Sequence, residues 1–413
     1  MPGSERRPLL APEAVSHHPE PPISASTNLL AWPKAQKWRI MTLLAFMSFN
    51  VTFVCISVVP VASRIVHDIG SGSHARSTSV LLVTGWELGE AIGPFFIGPL
   101  SETWGRRPVI HAMNTIFVLT IVLSALSQTT TLLIAARIAA GMVVSTNVLS
   151  PAIAGDIMLP GERGSALALT ATANLAGGAI GSAVGGLVAE GLGWRSVLWL
   201  GTALASLSTL LLIIYFPETY RPSLTRGNQD EHFKQDGSGT VVGSIARPAH
   251  MLWSSSILVV ISLFHGLGFS IYYIMSVTMP DIVENIFNGS PATTGLYLIS
   301  FSVGSAISML LCHFFLDNIY LRLSKRTPHQ AKPEYWLPLA IIGSLMMPAS
   351  TLLYGWTAQA HLPKPLLLCA LSFIGTSLLL SMLPVFAYVV DAFGKYSASA
   401  MAAVMMTRCL MVS

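Results

Sequence analysis

The chain has 413 residues, of which 52% are hydrophobic and only 10% charged, with a mean hydropathy of +0.63. A soluble domain carries about 25% charged residues, so two or three water-facing domains, which the length would allow, are excluded. The formal net charge of +4 is small, and where the charges fall is more informative than their sum.

Residues 1–38 are polar and rich in proline and serine, with no signal-peptide pattern, and read as a disordered cytoplasmic tail. A membrane span needs about 20 apolar residues. Such runs fall at 39–63, 78–100, 108–127, 131–151, 165–190 and 194–215, then at 255–280, 293–316, 336–356, 365–390 and 397–413. That makes eleven spans, all helices, because lipid offers no partner to an open strand edge. The polar stretch 221–250 separates six spans from five.

With the N-terminus in the cytoplasm, 17 of the 23 basic residues lie on the inner side and 4 on the outer. This bias sets the orientation. Asn288-Gly289-Ser290 then falls in an outer loop, where Asn288 is a candidate glycosylation site. The four cysteines all sit in apolar runs and are expected to act as small apolar residues, without disulfides. Neither a metal nor a cofactor is expected, since no Cys/His cluster occurs. A phosphate-binding GxxxxGK[ST] loop is missing, which argues against an ATP-driven pump. No nucleophile–base constellation suggests an enzyme.

Between spans 2 and 3 runs Gly98-Pro-Leu-Ser-Glu102-Thr-Trp-Gly105-Arg106-Arg107. Span 4 carries Arg137-Ile-Ala-Ala-Gly141, followed by Asp156 and Glu162-Arg163-Gly164. Span 5 holds Gly177, Gly181, Gly185 and Gly186, and span 6 is followed by Pro217-Glu218-Thr219. Pro333-Glu334-Tyr335-Trp336 and Asp391-Ala-Phe-Gly stand in the second half. Together these resemble the major facilitator superfamily, in particular fungal members of its twelve-span drug:proton antiporter branch. The loop has Glu102 where the family has Asp, and span 5 has Ser182 where its antiporters have proline.

The resemblance implies an all-α polytopic fold of two pseudo-twofold bundles. The N-terminal bundle would occupy 39–220, the cytoplasmic linker 221–250 and a five-span C-terminal bundle 251–413, one span fewer than the family's six. It implies secondary active transport, as proton-coupled efflux of small amphipathic organic molecules by alternating access. Alternatives are proton-coupled uptake, polyamine transport and a truncated, non-transporting paralogue. Expected partners are a small-molecule substrate, protons and the lipid bilayer, with no nucleic acid; the protein is expected to be monomeric. The plasma membrane is favoured, and Glu5-Arg-Arg-Pro-Leu9-Leu10 fits a sorting pattern for a vacuolar membrane.

Ionisable groups inside a bilayer are costly, and each is a functional-site hypothesis. Glu87 and Glu90 lie about one turn apart in span 2. Arg137 in span 4 is at a similar depth and is expected to pair with Glu87, leaving Glu90 as the proton-exchanging carboxyl. The alternative is a static pair that locks two helices. Arg408 in span 11 either meets an acid or faces the cavity. The family lines its cavity with spans 1, 4, 7 and 10, which nominates Asn50, Asn147, His265, Tyr272 and Thr376. For each of these, a helix–helix hydrogen bond is the competing role.

Overall fold

The computed structural model describes residues 29–70, 75–158, 160–219, 250–326, 332–393 and 397–412. Most of the expected tail, its Leu9-Leu10 pattern and nearly all of the 221–250 linker lie outside the described residues. The tail boundary moves: a 3-10 turn forms at Leu29–Ala31, and the first helix starts at Lys34 rather than after residue 38.

The helices are α1 (Lys34–Ser57), α2 (Ala62–Ile69), α3 (Ala75–Trp104), α4 (Arg106–Leu126), α5 (Thr130–Met142), α6 (Thr146–Ile157) and α7 (Pro160–Leu192). They continue as α8 (Trp194–Tyr215), α9 (Ser256–Asn285), α10 (Pro291–Arg326), α11 (Leu337–Gln359), α12 (Lys364–Phe393) and α13 (Ser397–Val412). Among the described residues, nine helical segments are long and apolar enough to cross a membrane. Every expected span corresponds to helix.

Two spans are broken rather than continuous. Span 1 stops at Ser57, turns through Val59–Val61 and resumes as α2, because Pro60 has no N–H to offer the preceding turn. Span 4 divides into α5 and α6 across residues 143–145. There Val143 and Val144 bond back to the carbonyls of Ala140 and Gly141. This tight turn follows a glycine and two β-branched residues, all poor helix formers. Such a break is tolerated at membrane depth where protein surrounds it, and Val144, Ser145 and Thr146 are all buried.

Glycines let the helices meet backbone to backbone. Gly177, Gly181 and Gly185 form one stripe of α7 against Phe49, Phe53 and Ser57 of α1. The adjacent Gly186 instead faces Pro291 of α10, and Gly295 of α10 returns the contact to Ser182. Ser182 thus stands at a packing position that suits a small residue. In the first half, Gly89 and Gly93 of α3 pack on α5; in the second, Gly304 of α10 packs on α12. The matching contacts express the pseudo-twofold relation of the bundles. Large apolar side chains such as Leu119, Val260, Leu345 and Leu352 remain exposed on the outer surface, as a lipid-facing wall requires.

Gly185→Leu should destabilise the chain by about 3 kcal/mol or more, because even a Cβ would stand 2.3 Å from the Ser57 carbonyl oxygen. Gly191→Ala, in open space on the same helix, should leave the melting midpoint in detergent unchanged. Equal behaviour of the two variants would contradict the packing.

Candidate functional site: a charged cavity between the halves

A cavity of ≈ 340 Å³ lies between the bundles. Its walls come from α1, α3, α7, α9, α10, α12 and α13. Span 4 was expected to line it but contributes no described side chain, because α3 and α7 stand at the wall instead. Most of the wall is apolar or aromatic, and its charged side chains are Glu87, Glu90 and Arg408.

The expected Arg137–Glu87 pair does not form. The Arg137 guanidinium donates to the backbone carbonyls of Leu82 at 2.8 Å and Cys55 at 3.0 Å, and it covers the Trp86 ring at 5.3 Å. Cys55 lies in the last turn of α1, where carbonyls lack intrahelical partners. Arg137 therefore satisfies a helix end and stands behind Trp86. Similar depth did not imply the same face.

Arg408 takes the expected role. Its Nη2 lies 3.2 Å from Glu87 Oε2 and 3.6 Å from Glu90 Oε1. Glu87 also accepts from the Tyr273 hydroxyl at 2.5 Å and from the Cys409 thiol at 3.2 Å. The Phe269 ring covers the guanidinium at 4.4 Å. These contacts divide the two acids. Both acids line the cavity, but the Glu87 side chain is only 5% exposed and held by three donors, whereas that of Glu90 is 16% exposed and meets Arg408 at 3.6 Å. Glu87 belongs to the N-terminal half, and Tyr273, Arg408 and Cys409 to the C-terminal half, so the cluster bridges the two bundles.

Of the five proposed lining residues, Tyr272 reaches the cavity. Asn50 is buried, donating to the Leu204 carbonyl at 3.2 Å. Thr376 donates to the Gly304 and Ser372 carbonyls, fixing α12 on α10, and faces a separate groove beside Cys369. His265 is fully buried between Phe269 and Phe386, with Nδ1 against the Met382 sulfur. The Asn147 side chain lies outside the described set. In three cases helix packing captured the polar group.

At the inner face, the Gly105-Arg106-Arg107 loop is bound from within its own half. Gly105 adopts φ +98°, a left-handed value that favours glycine. The backbone N–H groups of Arg106 and Arg107 donate to Glu218 at 3.0 and 3.1 Å, which places a carboxylate on the positive end of α4. The Arg106 side chain reaches Asp156 at 3.4 Å and Ser101 at 2.6 Å. Gly98, the first residue of the stretch read between spans 2 and 3, lies inside α3, and the Glu102 side chain is outside the described set. Asn288 is exposed between α9 and α10 with φ 48°.

The hydrogen bonds crossing between the halves sit at the charge cluster or beyond it, at Ser63–Asp281 and Glu190–Ala292.

Arg408→Met should cost about 3–5 kcal/mol, because it leaves Glu87 buried and unpaired. Adding Glu87→Gln should recover most of that loss in a thermal-unfolding cycle. Additive losses would contradict the pairing.

The model of the Major Facilitator Superfamily matches residues 40–413. The chain is similar to an MFS transporter called cpaT from Aspergillus oryzae, at 29% identity over 90% of this chain and 78% of that protein. It is 26% identical to the efflux pump radE of Floropilus chiversii, over 90% and 72% of the two chains. Among solved structures, a D-xylose-proton symporter superposes with a TM-score of 0.69 at 18% identity, covering 91% of this chain and 88% of the other. The chain is a multi-pass membrane protein that belongs to the major facilitator superfamily.

Proposed function

We propose that the protein is a secondary active exporter that releases a small amphipathic organic molecule from the cytoplasm in exchange for an incoming proton. The observation that carries this reading is Glu90, a carboxylate lining an otherwise largely apolar cavity between two helical bundles. Glu87 is occupied by Arg408, Tyr273 and Cys409, so its charge is static while the bundles stay in this arrangement. Glu90 is the carboxyl that exchanges its proton.

The cross-half bonds at the charge cluster and beyond it support reading this arrangement as the cytoplasm-facing loading state. Alternating access requires the outer contacts to part and the inner ends to meet. During that rocking the Glu87 cluster must loosen, because its donors belong to the opposite half. The Arg106–Asp156 and Glu218 contacts keep the inner loop of the first half rigid as it moves. The similarity to a named efflux pump supports the outward direction. Export from the cell supports the plasma membrane as its location, and a cavity lined by this one chain supports a monomer. Glycosylation at Asn288 would be compatible with its exposed outer position.

Sealed inside-out vesicles with an acidic interior should accumulate the neutral dye Nile red. Protonophore treatment or Glu90→Gln should abolish the gradient-driven part. Accumulation that ignores the gradient would overturn proton coupling, and accumulation only with the gradient reversed would assign uptake.

A further inference from the structure

We infer that the seam between α9 and α13 is a binding site for one internal water molecule, held by Ser262, His265 and Arg408, which gives Arg408 a partner within its own half. The site stands whatever the direction or coupling of transport.

Three unpartnered polar atoms carry the first part of the argument. The Ser262 hydroxyl, His265 Nε2 and Arg408 Nε are buried and meet no partner among the described residues. Ser262 and His265 are 0% exposed and Arg408 8%. A buried polar atom left without a partner costs about 1–3 kcal/mol, and in folded proteins such atoms are satisfied by protein or by ordered water. The Ser262 hydroxyl is not spent on its own helix. Further along α9, Ser270 and Thr278 donate back to the Gly266 and Ile274 carbonyls, whereas Ser262 does not.

Helix register is the second, independent observation, and it brings the three atoms to one level. Each helix from α9 to α13 reverses the direction of the one before, so α9 and α13 run the same way. Gly266 faces the Met411 side chain, whose sulfur would stand 2.3 Å from an added Cβ. Three residues earlier on the two helices lie Leu263, next to Ser262, and Arg408. From there the Arg408 side chain climbs along α9, because its guanidinium ends over the Phe269 ring at 4.4 Å. That same ring meets the His265 ring at 5.0 Å. Nε is the guanidinium nitrogen nearest the α13 backbone, so it lies on the stretch that passes the imidazole.

The chemistry of the three atoms selects water. His265 Nδ1 lies against the Met382 sulfur. A thioether has no hydrogen to give, so Nδ1 carries the ring hydrogen in this contact and Nε2 is an acceptor. Arg408 Nε only donates, and the Ser262 hydroxyl does either. The ligand must therefore accept from Arg408 and donate to His265. Water does both, and three partners are the usual number for a buried water. Chloride has no hydrogen for Nε2, and Glu87 at 3.2 Å and Glu90 at 3.6 Å already oppose a further anion at Arg408. A metal cation would be repelled by the guanidinium. All three side chains belong to the C-terminal half, so Arg408 keeps this partner whatever its distance from Glu87.

Pulsed X-ray radiolysis of the purified full chain, read by mass spectrometry, tests the site, because radicals formed from a bound water oxidise the side chains beside it. Met382, 1% exposed and touching His265, should be oxidised much faster than Met41, which is 0% exposed in an apolar cluster. Ser262→Ala combined with His265→Phe should bring Met382 down to the rate of Met41. Equal rates in the wild type would overturn the inference. So would fast oxidation that persists in the double variant, because the water would then be held elsewhere. Should the double variant not fold, Ser262→Ala alone must slow the oxidation of Met382 for the site to stand.

Discussion

The pairing of Glu87 with Arg408 is the constraint on which the rest of the molecule depends. Each group alone would be a charge deep in a span, at a cost of several kcal/mol. Together, and with Tyr273 and Cys409 completing the carboxylate's hydrogen bonds, they become a joint between the two halves, to which Glu90 adds a second contact with Arg408 at 3.6 Å. A buried ion pair is a weak source of net stability, but removing one partner is expensive. The pair therefore biases the arrangement of the halves more than it strengthens the fold. Arg408 also lies 3.6 Å from Glu90, whose side chain is the more exposed of the two acids.

Around this joint the glycine stripes supply the rigid part of the structure. α7 touches α1 with one stripe and α10 with the adjacent Gly186, so one helix joins both bundles. Backbone contact of this kind tolerates little change in separation, and motion is directed to the bundle interface. The inner loop is tied to Asp156 and Glu218 of its own half, so the first bundle can rock as a unit.

The spans were legible because hydropathy reports directly on the solvent each segment meets. Gly177, Gly181 and Gly185 were also legible as a packing stripe. The partner of Arg137 was not. Depth along a helix is readable from residue counting, but the face a side chain presents depends on the rotation of helices against one another. That rotation put Arg137 on the open end of α1 and Arg408 on the acids. The break at residues 143–145 carried a signal in Gly141, Val143 and Val144 that hydropathy alone overlooks. Asn50, His265 and Thr376 look alike in sequence as polar residues in apolar runs, and only their neighbours distinguish a packed group from a lining one. Tyr273 had no signal of its own beyond sitting next to Tyr272.

The central claim is a division of labour between two carboxyls one turn apart, one held and one exchanging. Infrared difference spectroscopy of the purified chain, between about pH 8 and about pH 5, observes carboxyl protonation directly. The account predicts a protonated-carboxyl band that disappears in Glu90→Gln and persists in Glu87→Gln. A band that survives in Glu90→Gln and is lost in Glu87→Gln would contradict it.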